Sequence, residues 1–256
     1  MIFNPPGWGP LKFPKVKFYI DNQLLENTDR YTYLGLVFKP SGSVDTAAKE
    51  LLTKANRAYF SLSSLFYQNK KMKTDKATEL FDSLVTPISL YASQFWAVLS
   101  LPASAFNSLD NLMKSWEVFI PETVNQRFCR LQLSLHKKTS RLAVLGELSR
   151  YPLLINALIQ SLKYKWTIMN KSDGNSLVRA AFNEMLSFSS SGIDCWVDRI
   201  KKVETLCKIK SFPSFTKPEI VKNSTKKTLH SIFDRFYIDQ INQIKMGEDL
   251  INHNKL

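Results

Sequence analysis

Eight residues, Tyr31-Thr32-Tyr33-Leu34-Gly35-Leu36-Val37-Phe38, constrain this chain more than any others. Aromatic and aliphatic side chains dominate them, and they read as one strand. Gly35 in the middle marks a bulge, or a point where another backbone or a ligand comes close. Lys39-Pro40-Ser41-Gly42-Ser43 then ends the strand. Ser43 is a suitable N-cap for a helix, with Asp45 in its first turn. Before this stretch the chain reads as extended, and after it almost every segment reads as helical. The expected fold class is therefore mainly α with a small N-terminal antiparallel β-sheet.

Upstream, Val16, Phe18 and Ile20 alternate with Lys15, Lys17 and Tyr19, the pattern of a half-buried strand. Asp21-Asn22 fits a tight turn into Gln23-Leu24-Leu25, and with Tyr31 to Phe38 this predicts one small sheet. Met1-Ile2-Phe3 also reads as strand, before a loop rich in proline and glycine up to Pro14. A domain seldom begins within a strand, so the expectation is that a further N-terminal part precedes it.

Downstream, Val44, Ala47, Ala48, Leu51, Leu52, Ala55, Ala58, Tyr59, Leu62, Leu65 and Phe66 recur at helical spacing and predict a helix over 44–68. Thr74 or Asp75 can cap the next helix. That helix carries Leu80, Phe81, Leu84, Ile88, Tyr91, Ala92 and Phe95 on one face, and Pro87 should kink or split it. Pro102 opens a third helix presenting Phe106, Leu109, Met113, Trp116 and Phe119. Further helices are expected over about 122–133, 142–149, 152–170, 177–186, 194–209 and 224–245.

The net charge of +13 favours an anionic partner, nucleic acid before membrane surface. The charge is uneven: residues 131–170 carry six Lys/Arg against the single acid Glu147, whereas 81–130 are near neutral. Lys137, Lys138, Arg141 and Arg150 are candidates to neutralise phosphates, as are Lys70, Lys71 and Lys73. Phe106, Trp116, Tyr91, Phe95 and Trp166 fall at helical spacing and read as core rather than as base-stacking platforms. Glu147, between Arg141 and Arg150, reads as an intrahelical ion pair rather than a general base, and His136 as a solvated loop residue. The scattered Cys129, Cys195 and Cys207 form neither a disulfide framework nor zinc-ligand pairs. No apolar run reaches the roughly 18 residues of a membrane span, and no signal peptide is visible. The expected location is intracellular, nucleus or cytoplasm. Phosphate-binding loops, nucleophile elbows and His-Glu-x-x-His helices are absent from the sequence.

The order of segments resembles the end of the palm and the start of the thumb in reverse transcriptases of LINE-type (non-LTR) retrotransposons. The carrying residues are Tyr33-Leu34-Gly35, then Phe81-Asp82 with Val85, Pro87, Tyr91 and Trp96. Phe128-Cys129-Arg130 and Lys137-Lys138-Thr139 follow. Gly146-Glu147-Leu148-Ser149-Arg150-Tyr151-Pro152-Leu153 is similar to a family segment, Gly-Glu-Leu-Gly-Arg-x-Pro-Leu, and has Ser149 where glycine is usual. Cys195-Trp196 with Ile200-Lys201 matches a weaker pattern. The resemblance implies that Tyr33, Leu34 and Gly35 belong to a primer-grip element. It implies a helical thumb-like bundle that grips a template–primer duplex by its backbone, through Lys49, Arg57 and the basic residues above.

The same resemblance implies what this chain lacks. Family polymerases hold Mg ions on palm aspartates, usually in a Tyr/Phe-x-Asp-Asp hairpin, and this sequence has no Asp-Asp pair. The expectation is a palm remnant over 1–42, a helical thumb-like domain over 43–135 and a C-terminal helical region over 136–256. As it stands the chain would be a non-catalytic fragment with no cofactor of its own. It would bind RNA or an RNA–DNA duplex, and would partner polymerase palm and fingers if part of a longer protein. The competing readings are a captured helical protein–protein interaction module and a decayed transposon remnant.

Overall fold

Two β-hairpins stand at the start of the computed structural model, which describes residues 17–25, 28–68, 72–171, 176–210, 212–213 and 216–253. Strand β1 (Phe18–Ile20) pairs antiparallel with β2 (Gln23–Leu25), Phe18 opposite Leu25. Asp21 and Asn22 turn between them with φ of 48° and 64°, the type I′ geometry that suits a two-residue hairpin. Strand β3 (Tyr31–Tyr33) pairs with β4 (Leu36–Phe38), Tyr31 opposite Phe38.

The expected single strand over 31–38 is therefore a hairpin, and its centre is the turn. Leu34 and Gly35 have φ of 47° and 83°. Gly35 enters the left-handed region freely, whereas Leu34 is forced into it, and a leucine there carries no turn signal in sequence. The two hairpins are separate two-stranded sheets rather than one. Nor is the first strand half-buried: all six residues of β1 and β2 are exposed. The expected strand at Met1–Phe3 and the loop at 172–175 lie outside the described residues.

Helix α1 (Asp45–Gln68) follows; its first intrahelical bond runs to the Val44 carbonyl, so Ser43 lies one residue before the expected N-cap position, its Oγ accepting from the Asp45 amide. Its apolar stripe buries Ala48, Leu51, Ala55, Tyr59 and Leu62, while Leu65 stays exposed. Val37 of β4 packs against α1 and is buried.

Pro87 splits the next helix. Helix α2 (Thr74–Leu84) ends before it, and the short α3 (Thr86–Ser89) holds it in the first turn, where its missing N–H is harmless. Ala92 then turns left-handed, φ 52°, into α4 (Ser93–Ser100). Of the seven apolar residues expected on one face, five are consequently spread over three helices, and Tyr91 and Ala92 lie in the turn between α3 and α4. Phe81 is fully buried, but Leu84, Tyr91 and Phe95 are exposed. Neither Thr74 nor Asp75 caps α2: its N-cap is Lys73, without a side-chain hydrogen bond. The helix expected from Pro102 is also broken, into 3-10 turns at Ala103–Phe106 and Ser115–Glu117 around α5 (Leu109–Lys114).

Helix α6 (Glu122–Gln132) and α7 (Arg141–Glu147) lead to α8 (Leu153–Lys171). The first turns of α8 bury Leu153, Leu154, Ile155, Ala157, Leu158 and Ile159, side chains pointing almost all round the helix. A helix apolar on every side belongs at the centre, and α8 packs on α4, α6 and the long α11 (Pro218–His253). Between them, α9 (Leu177–Ser190) and α10 (Trp196–Leu206) close the bundle. Arg199 of α10 donates to the carbonyls of Val98, Leu99 and Leu101 and pairs with Asp194, so it satisfies the orphaned carbonyls at the C-terminus of α4. Buried side chains from Ala48 to Phe236 form one cluster, so the regions on either side of residue 135 share a core.

Candidate nucleic-acid interface

Helix α6 has one buried face, with Val124, Phe128 and Cys129. Arg127 and Arg130, three residues apart, share another side of the same helix. Arg127 donates from Nη1 to Asn56 Oδ1 on α1 at 2.8 Å, and its guanidinium carbon lies 5.4 Å from the centre of the Phe60 ring. Arg130 donates from Nη2 to the Thr139 carbonyl at 3.1 Å, while its Nε is buried and has no acceptor among the described residues. Lys137 reaches the same place from the loop after α6. Together with Tyr59, Ser63 and Thr123 they line an open groove of about 740 Å³ between α1 and α6. Among the described residues no aspartate or glutamate lines it, so the charge of its lining is positive.

The residues expected to hold phosphate divide into two sets. Lys137 lines this groove, with exposed Lys138 beside it in sequence. Arg57 is exposed on α1, one turn before Phe60, and Lys49 is exposed two turns earlier along the same row. Lys73 is exposed at the start of α2. None of these five makes an ion pair among the described residues. Lys70 and Lys71 lie outside the described residues.

Arg141 and Arg150 are engaged inside the fold. Arg141 donates to the Glu117 carbonyl at 2.7 Å and stacks over Trp116 at 5.1 Å. Arg150 is only 9% exposed at its side chain. It grips both oxygens of Asp82 at 2.7 and 3.1 Å and donates to Asn125 Oδ1. Its guanidinium also lies 5.5 Å from each of the Phe81 and Phe128 rings, which stack on one another at 4.2 Å. Both of its terminal nitrogens are thus spent on Asp82 and Asn125, and its Nε is buried without an acceptor among the described residues. Glu147 is exposed and makes no ion pair among the described residues, because Arg141 and Arg150 are occupied elsewhere. His136 is exposed, its Nδ1 accepting from the Lys138 amide.

The sequence reading missed Arg127 and the buried acid behind this cluster. The i, i+3 spacing of Arg127 and Arg130 beside an apolar stripe is the signal that would have found the first. Glu122 gave no such signal. It is fully buried and its carboxylate accepts from Asn125 Nδ2 at 2.9 Å and from the Leu154 amide at 3.3 Å. It thus caps the N-terminus of α8, where the helix dipole favours a negative group. Burial nonetheless outweighs these bonds and raises its pKa to about 7.

The Tyr33-Leu34-Gly35 segment stands well away from solvent-averse surroundings: Tyr33 is 58% and Leu34 71% exposed. The turn is held by its carbonyls. Tyr91 Oη donates to Leu34 O at 2.9 Å, and Lys54 Nζ to Gly35 O at 3.3 Å. Beneath the hairpin runs an apolar cleft of about 650 Å³, lined by Leu36, Phe38, Ala47, Tyr91, Phe95 and neighbours. Tyr91 and Phe95, expected in the core, border this cleft; Phe106, Trp116 and Trp166 are buried as expected.

Cys129 and Cys207 are buried thiols whose pKa burial pushes up to about 12, and Cys195 is half-buried; all three are unpaired. Among the described residues no group of three His, Cys, Asp or Glu could hold a metal ion, and no helix is long and apolar enough to cross a membrane. No family model, no curated protein and no solved structure matches this chain.

Proposed function

We propose that this chain is the palm end, thumb and C-terminal region of a LINE-type reverse transcriptase, and that it binds the backbone of RNA or an RNA–DNA duplex. The observation that carries the binding is the α1–α6 groove: Arg127, Arg130 and Lys137 with no carboxylate in the lining among the described residues. Cations without a carboxylate partner can neutralise a phosphate without breaking an ion pair. The family assignment rests on motif order. It is supported by how the motif residues pack, since Phe81, Asp82, Phe128 and Arg150 meet as one unit although they lie far apart in sequence. In this reading the metal-holding aspartates and Mg belong to palm sequence outside this chain, which carries no polymerase chemistry itself.

The test is affinity for a short RNA–DNA hybrid across a salt series. Three backbone contacts, one for each groove cation, give a slope of log K against log salt of about −2 to −3. Affinity absent at low salt, or indifferent to salt, would sink the proposal.

A second reading has one observation in its favour. Tyr33 and Leu34 are exposed and line the apolar cleft, a surface of the kind that packs on protein. In the reading above this is where palm and fingers would pack; in the alternative it is the binding face of an interaction module. Salt-independent self-association without nucleic-acid affinity favours the alternative.

A further inference from the structure

The α1–α6 groove contains something that a backbone grip does not need. Phe60 is 57% exposed, although its neighbours Tyr59 and Leu62 are buried. It lies in the groove lining rather than under the core. Arg127 lies over its ring at 5.4 Å and is itself fixed by Asn56, so ring and guanidinium form one ordered platform. Aromatic rings and guanidinium planes are what unpaired bases stack upon. A base inside a duplex is already stacked on both sides and has no face to offer. Beside the platform Arg130 and Lys137 line the groove and supply the positive charge that phosphates need.

We infer that the groove seats an unpaired nucleotide of the bound strand, its base stacked on the Phe60–Arg127 platform and its phosphates held by Arg130 and Lys137. This rests on the backbone-binding function proposed above and adds a preference: single-stranded extensions over fully paired ends. The groove volume of about 740 Å³ is open and in the range of sites that hold ligands of nucleotide size.

The experiment compares a blunt RNA–DNA hybrid with the same hybrid bearing a short single-stranded extension that carries 2-aminopurine. Fluorescence anisotropy reads affinity, and 2-aminopurine quenching reads stacking. Full-length protein is used with Phe60→Leu, which keeps apolar bulk and helix propensity, and with Phe60→Trp, which keeps the stacking face. The wild type and Phe60→Trp should bind the extended hybrid about tenfold more tightly than the blunt one, with quenching. Phe60→Leu should lose the quenching, and its ratio of extended to blunt affinity should fall to about one. Equal affinity of the wild type for the two hybrids overturns the inference, as does a Phe60→Leu loss shared equally by both. Binding to neither hybrid at low salt is a different failure, since it removes the backbone-binding function itself and the nucleotide seat with it.

Discussion

Replacing Ser149 by glycine should make this protein more stable. Ser149 follows α7 with φ of 50°, in the left-handed region. The Ser149 amide donates to Gly146 O and the Arg150 amide to Leu145 O, both at 2.9 Å. That pair of bonds is a Schellman cap, with Ser149 at the position where glycine is favoured. An L-residue in this conformation costs about 1–2 kcal/mol. Glycine avoids that cost but loses about 0.5–1 kcal/mol more backbone freedom on folding. The difference predicts a net gain of roughly 0.5–1 kcal/mol for Ser149→Gly. Ser149 is exposed and its hydroxyl makes no hydrogen bond among the described residues, so no contact is lost with it. Urea unfolding reads the effect as a higher midpoint at unchanged slope. Ser149→Ala keeps the Cβ and the strain, and should stay within about 0.5 kcal/mol of wild type. A glycine variant no more stable than wild type, or an alanine variant that gains as much, would refute the cap.

Three further outcomes follow from the same region. At Gly146 a Cβ would collide with Tyr237 Oη and sit 2.6 Å from its Cζ; the overpacking, about 1–3 kcal/mol, should exceed the helix-propensity gain of about 1 kcal/mol. Gly146→Ala should therefore lower the unfolding midpoint, and adding Tyr237→Leu should restore part of it. Arg150→Met should lose about 2–4 kcal/mol of stability through the Asp82 pair and the flanking rings, while the folded fraction, measured by anisotropy, binds hybrid as tightly as wild type. Glu122 titrates near 7 in the fold against an ordinary 4.5. The folded state therefore holds the extra proton between those values, and stability present below pH 4.5 is lost as pH rises through 7, by roughly 3 kcal/mol. Urea unfolding at pH 5 and pH 8 should show that loss in wild type and little of it in Glu122→Gln.

Much of the helical body was legible because its apolar residues repeat at helical spacing. The stripe of α1, the start of α6 and the run of α8 needed only that periodicity. Pro87 announced the break between α2 and α3 through its own backbone chemistry. The hairpin at 31–38 was hidden for the opposite reason. Its turn puts a leucine at positive φ, where propensity argues against it, and the carbonyl contacts from Tyr91 and Lys54 that hold it come from distant sequence. The groove was half legible. Lys137 stood out as part of a charge run, but the difference between Arg127 and Arg150 is tertiary. One guanidinium faces an open groove, and the other finds Asp82 sixty-eight residues away. Glu122 looked like any first-turn acid on α6, and only the arrival of the α8 N-terminus makes it a buried cap.

The claim most in need of a direct test is that the α1–α6 groove grips nucleic-acid backbone. The measurement is the salt dependence of RNA–DNA hybrid binding in wild type and in an Arg127→Gln, Lys137→Gln variant. Removing two phosphate contacts should weaken binding at low salt and reduce the magnitude of the log–log slope by about two. A variant with wild-type affinity and wild-type slope would contradict the account, and the phosphate contacts would then have to lie elsewhere on the surface.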